Sequence, residues 1–142
     1  MLKDIRLAIM DTLKRELDGV KTYFTGYPFY ISVQYAPFVA VYTESATVSW
    51  KGQLAYDKTY TLSIVIGINA QQEIEQRNRG IEDEAWLNDK VDEIIDILFS
   101  KLYRIGQATL QSNISVDYRD GGGNIRYATI TVAYNEVQRF TI

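Results

Sequence analysis

The chain has 142 residues, 46% hydrophobic and 23% charged, proportions of a globular domain that exclude disordered and collagen-like chains. One core is expected, large enough to bury roughly two thirds of the surface that the unfolded chain exposes. A net charge of -3 and an isoelectric point near 5.0 argue against nucleic acid as the main partner, because affinity for a phosphate backbone comes from clustered cations.

Cysteine and histidine are both absent. Disulfides, thiolate nucleophiles and sulfur ligands are thereby removed, and with histidine go catalytic triads and most transition-metal sites. No cofactor or metal is implied and the expectation is a protein that is not an enzyme, with carboxylate, lysine or tyrosine chemistry as the remaining routes. The segment MLKDIRLAIMDTLKREL is charged throughout, so neither a signal peptide nor a membrane anchor is expected there. No apolar run approaches membrane-spanning length, so no membrane partner is expected and the chain is placed in the cytoplasm or wherever it is later assembled.

Residues 2–18 carry Leu2, Ile5, Ile9, Leu13 and Leu17 at three- and four-residue spacing, which predicts an amphipathic helix stopped at Gly19. From Tyr27 the period changes to two. Phe29, Ile31, Val33 and Tyr35 alternate with polar residues as in a half-buried strand that Pro37 interrupts. Phe38 to Thr43 resumes extended structure, and Glu44 to Thr59 makes a polar excursion still carrying Val48, Trp50, Leu54 and Tyr56, as a protruding hairpin would. Tyr60, Leu62, Ile64, Ile66 and Ile68 then alternate cleanly and predict the core face of a strand.

Residues 70–81 are polar and read as a connection. A second helix is expected over 83–105, opening on Glu82, Asp83 and Glu84 and closing with Lys101 and Arg104 before Gly106, in agreement with the helix dipole. Its broad apolar face runs through Leu87, Val91, Ile94, Ile95, Leu98, Leu102 and Ile105. Ile114 to Tyr118 and Ile125 to Tyr134 then form a hairpin across the glycine-rich run from Asp120 to Asn124. Those glycines match no phosphate-binding spacing, and the position where a calcium loop needs a glutamate is Ala128. The element order lacks βαβ alternation. It predicts one α+β domain over 1–142, with an antiparallel or mixed β-sheet, two amphipathic helices packed on one face, and a projecting β-hairpin or arm.

Two constellations stand out. Trp50 and Tyr56 fall in the polar excursion beside Lys51, Asp57 and Lys58, where a small core hardly reaches them all. Aromatics among charges on a projection suit a protein contact, although a cluster folded back on its own hairpin fits the same residues. Trp86, at the edge of the second helix's apolar face, is a further contact candidate. Asp89, Asp92, Glu93 and Asp96 line one stripe of that helix, opposite the apolar one, either as a solvated face or as an acidic surface of an assembly.

The sequence order also resembles a known family. An amphipathic helix, the extended segment YAPFVAVYTESATV, a long excursion, the return strand TYTLSIVIGINA, a helix ending LFSKLY and the hairpin ISVDYRDGGGNIRYATITVAYNEV are similar to the tail-terminator or tail-completion proteins of long-tailed bacteriophages. The resemblance implies a homo-oligomer, a hexameric ring on the head-proximal end of the tail tube. Its partners would be the major tail tube protein and a head–tail connector protein, with DNA passing through without specific binding. It would be assembled in the host cytoplasm and found in the virion tail. The excursion would be a subunit contact or a tube-facing arm. A phage neck or head-completion protein, a small-molecule-binding regulatory α+β dimer and a carboxylate-dependent enzyme are the competing readings.

Overall fold

The computed structural model describes residues 2–26, 34–52, 54–69, 79–120 and 125–139. The architecture is the expected α+β one, a curled mixed sheet of seven strands with two helices on one face. Helix α1 (Leu2–Glu16) buries Ile5, Ile9, Met10 and Leu13, and Gly19 follows it at a φ of 80°. Strand β1 (Thr22–Thr25) runs parallel to the start of β2 (Phe38–Trp50). Pro37 has no amide hydrogen, but its carbonyl accepts from the Lys21 and Thr22 amides and so sets the register of β1.

Strand β3 (Ala55–Asn69) pairs antiparallel with β2 along its length, and on its other edge with β7 (Ile125–Arg139). Helix α2 (Arg79–Lys101) crosses back over β3 and β7. Three shorter strands complete the sheet: β4 (Arg104–Ile105), β5 (Ala108–Leu110) and β6 (Ser115–Asp120). β5 and β6 share the free edge of β7, at Asn135–Tyr134 and at Thr131–Arg126 respectively.

The main core lies between helices and sheet. Leu62, Ile64, Ile66 and Ile68 of β3 and Ala128, Ile130, Val132 and Tyr134 of β7 meet Leu87, Val91, Ile94 and Leu98 of α2. The period-two reading of 60–68 therefore holds, with Tyr60 buried at one end. A smaller cluster on the opposite face gathers Phe38, Ala40, Val65 and Ile125, with Phe24, Tyr35, Tyr42 and Tyr127 against it.

Helix α2 departs from its expected limits at both ends. It begins at Arg79, inside the stretch taken as a connection, because the first helical turn needs no apolar period to form. It ends at Lys101 and not at residue 105. The chain there turns so that Arg104 and Ile105 pair with Thr109 and Ala108, and Gly106, at a φ of 60°, serves this small hairpin instead of capping the helix. Strands β4 and β5 were not legible as a pair. Of the strand expected over 27–35, Phe29, Ile31 and Val33 lie outside the described residues. Tyr35 is in a turn before the cis Ala36–Pro37 peptide.

Candidate protein-contact surface

The polar excursion is regular strand. The β2–β3 hairpin continues without a break to the pair Trp50 and Tyr56, and its connection is closed by the Lys51 amide donating to the Ala55 carbonyl, with Gly52 at a φ of 118°. β7 runs alongside to Arg139, opposite Ala55. The arm is thus three strands wide. Its third strand is the end of β7, five residues beyond the limit expected at Tyr134.

A bulge at Glu44 decides which side the arm presents. Thr43 pairs with Leu62 but Ser45 pairs with Thr61, so one extra residue stands on β2. Before it, Val39, Val41 and Thr43 face the helices. After it, Ala46, Val48 and Trp50 do. Opposite them stand Tyr60, Lys58 and Tyr56, and beyond these Tyr134, Glu136 and Gln138. The bulged Glu44 itself accepts from the Ser63 hydroxyl at 2.9 Å.

Along this side the helices cover only the root. Residues 44–50 are exposed throughout, and Trp50 is 76% exposed, Val48 60% and Leu54 48%. Val48, Ser49, Trp50 and Tyr56 line a shallow hollow of about 360 Å³. The Lys58 ammonium lies 5.5 Å from the centre of the Tyr56 ring, a cation–π contact that holds this ring in place. Lys51 and Asp57 form an ion pair at 3.4 Å, but Asp57 points to the opposite side of the arm from Trp50 and Tyr56. The structure therefore brings Trp50, Tyr56 and Lys58 together on one side and leaves Asp57 on the other.

Sequence reasoning missed Glu136. It is only 1% exposed and stands cross-strand from Lys58 at the root of the arm. One oxygen accepts from the Tyr60 hydroxyl at 3.3 Å and from the Gln138 amide, while Oε2 has no partner among the described residues. Burial, and after it the charge of Glu136, pushes the Tyr60 phenol above its ordinary range. The available signal was the alternation Val132, Tyr134, Glu136, which places this carboxylate on the inward side.

Trp86 is half-buried, packed on the main core beside Gly19, with the Lys90 ammonium 5.7 Å from its ring centre. Asp89, Asp92 and Asp96 are exposed on the outer side of α2, and Glu93 takes Lys90 as partner at 2.9 Å. These carboxylates occupy a convex helix face and not the cleft that acid–base catalysis needs. On the sheet face away from the helices, Tyr42, Glu44, Ser63, Asp117, Arg119 and Thr129 help line an open hollow of about 350 Å³.

The arm tip, with exposed Val48, Trp50 and Leu54, has the make-up that suits a protein contact. Residues 1–119 match the model of the phage minor tail protein U family, and the chain belongs to that family. It is accordingly a structural component of the phage tail. No curated protein sequence matches the chain.

Proposed function

We propose that this protein caps the head-proximal end of the tail tube as a homo-oligomeric ring, ends tube polymerisation and presents the surface on which the head connector docks. The observation that carries the reading is the arm: residues 44–50 form a strand with both faces exposed, ending in Trp50, on a domain of the tail protein U family. An exposed strand end that carries Val48 and Trp50 is prone to non-specific pairing unless a specific neighbour covers it. A ring places an equivalent neighbour beside every subunit. Capping follows when the other ring face matches the last tube ring and offers no equivalent surface to a further tube subunit. The acidic net charge disfavours phosphate contacts as DNA passes.

Purified protein mixed with assembled tail tubes and viewed by electron microscopy tests this. Rings seated at one end of the tube, with the other end bare, are expected. Protein that stays monomeric at high concentration and ignores the tubes would sink the reading, and rings found only on the head side of the joint would transfer it to a neck or head-completion role. The small-molecule reading calls for an apolar pocket with converging polar groups; the hollow on the open sheet face is lined mostly by polar and charged side chains, and the one at the arm tip is apolar but shallow, with Ser49 and the Tyr56 hydroxyl as its polar groups.

A further inference from the structure

We propose that the Ser45–Trp50 stretch of β2 in one copy pairs edge to edge and antiparallel with β6 of the next copy, so that one continuous sheet runs from subunit to subunit. This rests on the ring reading and names the two edges that meet in it. β1 accompanies β2 only from Phe38 to Val41, where the Gly26 amide donates to the Val41 carbonyl. Beyond Val41 no strand among the described residues pairs with the outer edge of β2, and residues 44–50 are exposed throughout. β6 is bonded to β7 alone and is exposed at every residue but Val116, so its outer edge is open as well among the described residues. Such an edge carries a row of backbone N–H and C=O groups that an extended strand satisfies. From Ser45 to Trp50, β2 has neither the charge nor the proline that commonly guards an edge.

The topology makes the two edges complementary. β2 runs antiparallel to β3, β3 to β7 and β7 to β6, so β2 and β6 point in opposite directions within one sheet. A neighbour brought round by rotation, with its helices on the same side, therefore offers β6 antiparallel to β2. The sides agree too. Val116 and Tyr118 stand opposite Ile130 and Ala128 of the main core, and so share the helix side with Val48 and Trp50. Asp117 and Arg119 face the other way, as Thr47 and Ser49 do. Setting Val116 beside Trp50 and Tyr118 beside Val48 lays the exposed apolar side chains of both edges together. Arg119 then meets Thr47 and Asp117 meets Ser49, so no charge opposes another. Thr47 is level, through Thr59, with Asn135 of β7, whereas Arg119 is level with Tyr127, eight residues lower. The joined sheet is therefore staggered with tilted strands, as a sheet that closes on itself must be. Two β2 edges, or two β6 edges, would pair as dimers and leave the other edge open. β2 on β6 fills both edges of every copy and closes by repetition.

Because the chain has no cysteine, cross-linking of the full-length protein tests this directly. Thr47→Cys and Arg119→Cys in one chain stand roughly 27 Å apart along β7, beyond the reach of a disulfide, so a bridge can form only between copies. On mild oxidation of the assembled protein, this double variant is expected to give a ladder of covalent oligomers that reductant collapses, and each single variant only monomer. Thr47→Cys with Asp117→Cys covers a register shifted by two residues. Hydrogen exchange gives a readout independent of register: amides of 44–50 and of 115–120 are expected to slow at least about tenfold on assembly. Assembly is followed by analytical ultracentrifugation and folding by circular dichroism. Assemblies that give a ladder from neither pair, or in which either segment exchanges as in the monomer, overturn the proposal while keeping the ring. So does a dimer from Thr47→Cys alone, which sets arm against arm. A native chain that never associates, alone or with tail tubes, overturns the ring reading and this contact with it.

Discussion

The ring of Phe38 occupies the space above Gly67. The two are cross-strand partners on β2 and β3, and a Cβ built on Gly67 would lie 2.3 Å from Cε1 of that ring. Gly67→Ala therefore sets a methyl group against a fully buried aromatic side chain packed among Ala40, Val65 and Phe24. A loss of about 1–3 kcal/mol is expected, the usual cost of overpacking, read as a lower midpoint in urea with an unchanged slope. Phe38→Leu in the same chain is expected to recover part of it.

Tyr134 ties the root of the arm to the end of α2. Its hydroxyl donates to the Leu102 carbonyl at 2.8 Å in the core, where the helix has already run out of amide partners. Tyr134→Phe keeps the ring and leaves that carbonyl short of a donor, at about 1–2 kcal/mol of stability. A midpoint equal to that of the native chain would show that another donor reaches Leu102.

Several phenols couple folding to alkaline pH. Tyr23, Tyr42, Tyr60, Tyr118 and Tyr134 are all raised above the ordinary tyrosine value of 10.0, burial being the first cause in each, and Tyr134 most strongly. A raised folded value means that the neutral phenol is favoured by folding. The stability is fully present below the unfolded value near 10.0 and is lost as pH rises from there through the folded values. Absorbance at the phenolate band is expected to lag behind that of free tyrosine and then rise together with unfolding. Ionisation of all phenols in a still-folded chain near pH 10 would contradict this.

The two tryptophans give a direct optical readout of the arm. Trp50 is almost fully exposed and Trp86 half-buried on the core. With Trp86→Phe as the background, Trp50 emission is expected at long wavelength and open to acrylamide in the monomer, shifting to the blue and becoming shielded on assembly. Trp50→Ser is expected to change stability by less than about 0.5 kcal/mol, since it lies away from every packed feature, while abolishing assembly.

The lower half of the sheet was legible because one rule governs it. From Tyr60 to Ile68 every second residue is apolar and every one of these is buried, so pattern and environment coincide. The arm was legible only as an excursion, for two physical reasons. The Glu44 bulge moves the inward positions of β2 from odd to even numbers, so no single period spans Phe38 to Trp50. Beyond the bulge no core rewards alternation, and strand structure there rests on backbone pairing with β3 and, through it, β7. Trp50, Lys51, Tyr56, Asp57 and Lys58 stood out as contact candidates from their residue types within the excursion, and the structure sets Trp50, Tyr56 and Lys58 on one side of the arm with Asp57 on the other. The long-range placement of Asn135 and Tyr134 against β5 left no local trace, because a three-residue strand offers no period to read.

β7 is the hinge of the whole arrangement in time as well as in space. It lies between β3 and the short strands, and its partner Ala55 is eighty-four positions earlier in the chain than Arg139. While the polypeptide is being made, β3 must wait with one edge unpaired until residues 125–139 have cleared the ribosome, and the core cannot close before then. A nascent chain stalled after β6 would hold its helices and first hairpin against an unfinished sheet. The sheet is thus finished by its most distant pairing, and a chain cut within β7 is expected to leave β3 with an open edge that invites association with other chains.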